Sequence, residues 1–177
     1  MGEIKKEQAE PFIFRMATAA DADSIWEILQ QAIERRRRDG SKQWQDGYPN
    51  PDTAQEDIEK GWGFVLTEEG AIIAFCALIV NDEPAYDNID GAWLTNGDFL
   101  VVHRVAVSDK VAGKGIATHL FKAIEQYAIT QNIPSIKVDT NFDNPAMLKI
   151  LEKLQYTYCG EVMLRGAPRK AFEKVLG

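Results

Sequence analysis

VAVSDKVAGKGIATHL, Val105 to Leu120, runs from an apolar, strand-like stretch through a polar bend and Gly113-Lys114-Gly115 into a helix-like pattern. Glycine has no side chain and takes backbone angles that other residues resist. Successive amides can then converge on one point. That point lies at a helix start, where four N–H groups lack partners and the dipole is positive. A phosphate or pyrophosphate suits such a bend, and Lys110 and Lys114 add charge. A Rossmann dinucleotide site fits less well. Thr118 stands in place of the third glycine, Ser108 to Ala112 intervene before the first, and the bend lies mid-chain. Gly-x-Gly alone is also compatible with a plain strand-to-helix turn.

Working outward, Phe99 to Val107 is almost continuously apolar, as in a strand buried on both faces. Ile116 to Thr130 reads as a helix with Ile116, Leu120, Ala123, Ile124, Tyr127 and Ala128 facing inward. Ser135 to Thr140 is a strand. Asn144 caps a helix with Pro145 in its first turn, running to about Leu154. Tyr156 to Leu164 and Arg169 to Val175 form a closing hairpin around Gly166. Upstream, Phe12 to Met16 is a strand. A helix capped by Asp21 or Asp23 follows to about Arg38, with Ile25, Ile28, Leu29, Ala32 and Ile33 on one face. After the aromatic loop QWQDGYPNPD, Asp52 opens a shorter helix to about Lys60. Gly63 to Thr67 and Ala71 to Val80 form a hairpin around Glu69-Gly70. Asn81 to Gly97 reads as a long functional loop. The order βααβββαβαββ predicts an α/β (α+β) fold: a mostly antiparallel mixed sheet with one central βαβ crossover and helices on its faces.

The chain has 177 residues, 45% of them hydrophobic, enough for a single domain over 1–177 with its own core. Its net charge of −7 disfavours nucleic acid and is compatible with a cationic substrate such as an amine. No apolar run is long enough to span a membrane. The polar start MGEIKKEQAEP is not a leader peptide, and Lys6 replaces the Ser or Thr that myristoylation at Gly2 requires. Cys76 and Cys159 lack metal-type spacing and read as reduced core thiols, which points to the cytoplasm.

HRVAVSDKVAGKGIATHLFKAIEQYA, His103 to Ala128, resembles the acetyl-CoA-binding motif of the GNAT acyltransferase superfamily. The family pattern Gln/Arg-x-x-Gly-x-Gly/Ala corresponds to Lys110-Val111-Ala112-Gly113-Lys114-Gly115. NPAMLKILEKLQY, Asn144 to Tyr156, is similar to the family's next motif. The element order matches from about Phe12 to Val175. Four departures stand out. Lys110 replaces Gln/Arg, Ala112 stands where Arg often precedes the first glycine, Leu151 replaces the tyrosine that protonates the leaving thiolate in many members, and Gln155-Tyr156 replaces Gly-Phe.

The resemblance implies a GNAT fold with a splayed parallel strand pair, about four helices, and acetyl-CoA as cofactor. It implies pyrophosphate on Ala112, Gly113, Lys114, Gly115, Ile116, Ala117 and Thr118. The pantetheine arm would lie along Val105, Ala106 and Val107, reached by Asn144 from the far side. The reaction is then N-acetylation of a primary amine by direct attack, with no enzyme nucleophile. His103 is the candidate general base, for its near-neutral intrinsic pKa; a packed core histidine is the other reading. Strand alternation puts His103 on the face of Val105 and Val107. Tyr156 and Tyr158 are candidate acids. Trp44, Tyr48, Tyr86 and Trp93 are candidate acceptor contacts, with Asp46 and Asp98 as carboxylates for an ammonium. Arg35 to Arg38 reads as a solvated helix end. A polyamine, an aminoglycoside, an amino acid or a protein N-terminus all fit as acceptor. The resemblance also allows a homodimer. A non-catalytic acyl-CoA-binding sensor on the same fold is the alternative.

Overall fold

The computed structural model describes residues 12–177; the expectations about the leader peptide and Gly2 lie outside them. One eight-stranded sheet organises the chain. The N-terminal half comprises β1 (Phe12–Met16), α1 (Ala22–Arg38), α2 (Pro51–Glu59), β2 (Gly63–Glu68), β3 (Ala71–Val80) and β4 (Asp90–Gly91). The C-terminal half comprises β5 (Leu100–Val107), α3 (Ile116–Thr130), β6 (Ser135–Thr140), α4 (Pro145–Lys153), β7 (Thr157–Leu164) and β8 (Ala167–Val175). The spatial order is β1-β2-β3-β5-β6-β8-β7-β4. Among the described residues only β5 and β6 run parallel, joined by the α3 crossover; the other neighbours are antiparallel. The predicted mixed sheet with its parallel pair and four helices is therefore present.

α3 and α4 cover one face of the sheet. Leu120, Phe121 and Ile124 are fully buried there with Leu78, Leu100, Ile136 and Leu151. Removing each such side chain from water stabilises the fold by about 1.5–3 kcal/mol. The other face is shared. α1 and α2 pack Ile25, Leu29 and Ala54 on Val65, Phe75 and Ala106. The segment 81–99 covers the rest, with Tyr86 against Ile79, Val101, Val162 and Ala171.

Sequence and structure differ at three places, each for a local reason. α2 is capped by Asn50, whose Oδ1 accepts from Thr53 N at 3.1 Å, one step before Pro51; Asp52 lies inside the first turn. The segment 81–99 is not a free loop. It folds as a short 3₁₀ turn, Pro84–Asn88, and then β4, which pairs with β7 at the far edge of the sheet. Its Leu94 N–H (2.7 Å) and Thr95 hydroxyl donate to the buried carboxylate of Glu173, which also receives Ser135 Oγ at 2.6 Å. It thus forms a strap across the sheet.

The third difference is a β-bulge in β5. Phe75 pairs with Ala106 and Ala77 with His103, so Arg104 and Val105 together oppose Cys76. Arg104 sits at φ 54°. One extra residue inverts the alternation downstream of it. Leu100, Val102, Val105 and Val107 face α3, while Val101 and Ala106 face the opposite side, with His103 turned to the strap. The expectation that His103 shares a face with Val105 and Val107 is thereby corrected.

Candidate active site

β5 and β6 pair only at Leu100–Ile136, Val101–Lys137 and Val102–Val138. Beyond them β5 continues to Val107 without β6 beside it, and the strands separate. A cavity of about 370 Å³ opens at this split. Val102 and Val105 line it from β5, Val138 and Thr140 from β6, and Asn144 and Met147 from α4.

A polar cluster occupies its floor. His103 Nε2 lies 2.8 Å from Glu83 Oε2, and His103 Nδ1 lies 3.9 Å from Asp139 Oδ2. The strap supplies Glu83, and the hydrogen bond with His103 holds its carboxyl below the ordinary range. Tyr86, also from the strap, donates its hydroxyl to Asp139 Oδ2 at 2.6 Å. Burial, reinforced by Asp139, pushes the Tyr86 phenol well up, so it remains a donor. A second cluster holds the bulge. Arg104 forks onto Asp57 at 2.7 and 2.6 Å and donates to Tyr48 Oη at 2.6 Å. Asp57 is 1% exposed.

The glycine turn lies beyond the C-terminal end of β5. Asp109–Val111 forms a 3₁₀ turn, and Gly115 caps α3 at φ 72° after Gly113 at φ 79°. These left-handed angles are why glycine stands at both positions. A Cβ built on either one meets nothing within 4 Å, and Ala112 to Gly115 are exposed. The Ala112 and Lys114 amides turn back onto Asp109 O at 3.4 Å and Val111 O at 3.3 Å. The amides of Gly113, Gly115 and the first turn of α3 are left for an outside acceptor.

The model of the acetyltransferase (GNAT) family matches residues 25–156. The chain belongs to the GNAT acetyltransferase family. It is 27% identical to the uncharacterised N-acetyltransferase YesJ of Bacillus subtilis over 157 residues, covering 86% of this chain and 85% of that one. A GNAT-family acetyltransferase structure from Streptococcus agalactiae superposes with a TM-score of 0.87 at 34% identity, covering 94% of this chain and 96% of the other. The structure of yncA of Salmonella typhimurium, solved with its cofactor acetyl-CoA, shares the fold at a TM-score of 0.63 and 16% identity, with 95% of each chain covered.

Within this GNAT frame, the cavity gathers some of the residues singled out from the sequence. His103, Val105, Asn144, Trp44 and Tyr48 line it. Asn144 is already engaged: its Oδ1 accepts from Met147 N at 3.3 Å and its Nδ2 donates to Gln43 Oε1 at 3.2 Å. Tyr86 and Trp93 are packed on each other 5.0 Å apart inside the strap; Tyr86 meets the cluster through its hydrogen bond to Asp139 and through its ring, 6.4 Å from that of His103. Tyr156 is 7% exposed against Phe121, and Tyr158 lies on Phe172 at the surface; neither lines the cavity. Leu151 is wholly buried in the α3–α4 core. His119 lies on Phe12, 4.8 Å between rings. Cys76 and Cys159 are free and buried, and burial pushes both thiols up. No helix of the described residues is long and apolar enough to cross a membrane.

Sequence reasoning missed Glu83, Asp139, Asp57 and the bulge at Arg104. It also misplaced Arg36. The run Arg35 to Arg38 does not point one way: Arg35 pairs with Asp109, Arg37 pairs with Glu34, and Arg36 turns into the cavity over Trp44. At 100° per residue a helix sends four consecutive side chains to four directions.

Proposed function

We propose that this chain, acting as one domain, transfers an acetyl group from acetyl-CoA to a primary amine in a ternary complex. The observation that carries the reading is the split between β5 and β6 past Val102–Val138, with the His103–Glu83 pair at the cavity it opens. The residues present fit the coenzyme. Gly113, Gly115, Ile116, Ala117 and Thr118 offer helix-start amides on an open turn for its pyrophosphate, with Ala112 and Lys114 shaping that turn. Val105, Ala106 and Val107 carry strand backbone that β6 leaves unpaired. Acetyl-CoA, when bound, supplies an acetyl group activated as a thioester, which an amine takes up as an amide while the thiol is released.

The chain's own work is proton handling and orientation. An ammonium cannot attack a carbonyl, so its proton must leave. His103 takes it at Nδ1, directly or through one water. Its Nε2 is held by Glu83, which fixes the ring. Glu83 is thus a positioning residue. Tyr86 keeps Asp139 in place beside the same ring. The second proton, shed by the amine nitrogen as the amide forms, or one from water, serves the leaving thiolate, since neither Tyr156 nor Tyr158 reaches the cavity.

The test is thermal shift with acetyl-CoA, CoA and NADP, followed by thiol release against an amine library. Stabilisation by the two coenzyme A species with thiol release supports the reading. Stabilisation without release on any amine favours an acyl-CoA sensor, and stabilisation by NADP alone overturns it.

A further inference from the structure

Four arginines line the cavity of a chain in which 27 acidic residues outnumber 20 basic ones. Arg104 is matched by Asp57 and Tyr48. Arg169 has Asp139 3.9 Å from its Nε, too long for a hydrogen bond, and that nitrogen is buried without an acceptor. Arg36 and Arg165 are less matched still. Among the described residues neither has a carboxylate at ion-pair distance. Arg36 lies 3.8 Å over the Trp44 ring; its Nη1 donates to Ala32 O at 3.3 Å, while its Nε is buried and unpartnered. Its guanidinium loses basicity through burial and through Arg35, to about 10, and stays charged at neutral pH. Arg165 lies 3.6 Å over the Tyr48 ring, from the turn between β7 and β8.

A guanidinium stacked on an aromatic ring keeps a fixed plane, and at Arg36 the Nε–Nη2 edge, the one not taken by Ala32 O, is left for a planar, two-oxygen acceptor. A carboxylate matches that edge. Burying arginine nitrogens without any acceptor is otherwise unfavourable. The acids of the same cavity, Asp82, Glu83 and Asp139, gather instead at the strap and around His103. The site therefore carries both signs of charge on different elements.

We propose that Arg36 and Arg165, set on Trp44 and Tyr48, bind a carboxylate of the acceptor, which is an amino acid or a similar small zwitterion rather than a simple cationic amine. The proposal rests on the acetyl-transfer reading for its meaning, but binding alone tests it. Calorimetric titration of the CoA-saturated protein compares a panel of L-amino acids with their decarboxylated amines and with phosphoethanolamine. At least one amino acid binds, and its decarboxylated amine binds at least about tenfold more weakly, as loss of a charged hydrogen-bond partner predicts. Arg165→Gln, at an exposed turn, and Arg36→Gln each weaken that amino acid by a similar factor. Arg165→Lys recovers only part of the loss, and acetyl-CoA affinity stays within about twofold.

Amines that bind as well as the acids, or no amino acid bound at all, overturn the proposal. So does tighter binding of phosphoethanolamine, which would mark a phosphate site. A fall in acetyl-CoA affinity in both variants also overturns it, by giving these arginines to the coenzyme's phosphates. Amino-acid binding without thiol release leaves the carboxylate site standing and removes the enzymatic reading instead.

Discussion

Glu83 and His103, twenty residues apart in sequence, meet at 2.8 Å because the strap leaves β3 and passes directly over β5. The carboxylate fixes one ring nitrogen and leaves the other, 3.9 Å from Asp139 Oδ2, without a hydrogen bond among the described residues. His103→Ala then lowers kcat by about 10²–10⁴, the span of a lost general base. Glu83→Gln costs less in kcat, because the ring stays in place as the base and only the group that orients it is weakened. Steady-state rates from pH 5 to 9 decide it; undiminished turnover in His103→Ala removes the base assignment.

The two left-handed glycines of the turn separate folding from binding. Alanine at Gly113 or Gly115 meets no neighbour, so the cost is backbone strain of about 1–2 kcal/mol. For a chain this size that lowers Tm by roughly 2–8 °C. Coenzyme affinity falls by about tenfold or more as the amides shift, equivalent to ~1.4 kcal/mol. Acetyl-CoA affinities of Gly113→Ala and Gly115→Ala equal to wild type would place the diphosphate elsewhere.

Gly160→Ala attacks the strap at its anchor. A Cβ there would sit 2.1 Å from Asp90 O, at a φ of +138°, so β4 and β7 cannot both keep their places. Hydrogen exchange rises at Ala92, whose N–H bonds Cys159 O at 3.0 Å. Turnover falls because Glu83 and Tyr86 are carried on the released segment, while acetyl-CoA still binds at the far turn. Unchanged exchange across 84–95 would count against the strap as the keeper of the site.

Arg15 and Asp21 give a pH signature remote from the cavity. The Asp21 carboxyl is held at about 2, against an ordinary 3.8, chiefly by the hydrogen bond from Arg15. The unfolded chain takes up this proton first on acidification. The stabilisation is therefore complete above pH 3.8 and is lost as pH falls toward about 2. Arg15→Gln is less stable than wild type at neutral pH, and the gap closes over that acid window. Urea midpoints at several pH values measure it; a constant gap refutes the linkage.

Most of the scaffold was legible because its signals are local. α3 runs from Ile116 to Thr130 and β6 from Ser135 to Thr140, as their apolar periods predict, and Asn144 does cap α4. The glycine turn was legible for the same reason: two glycines before an amphipathic run state their own geometry. The bulge was not, because a run of valines alternates smoothly on paper and only pairing with β3 reveals the extra residue at Arg104. β4 has two residues and a partner seventy positions away, so no window of sequence contains its cause. Glu83, Asp139 and Arg36 are charged residues of the kind that usually meet solvent. Only tertiary placement distinguishes them from their exposed neighbours.

The meeting of β5 with β6 is three residue pairs long. The sheet is thus two plates, β1-β2-β3-β5 and β6-β8-β7-β4, joined along a short seam and tied by a cord that leaves one plate, fastens to the outer rim of the other and returns. A guest lying in the gap extends the seam with its own polar groups. Occupancy then welds the plates, and melting of the loaded protein sharpens as well as shifting upward.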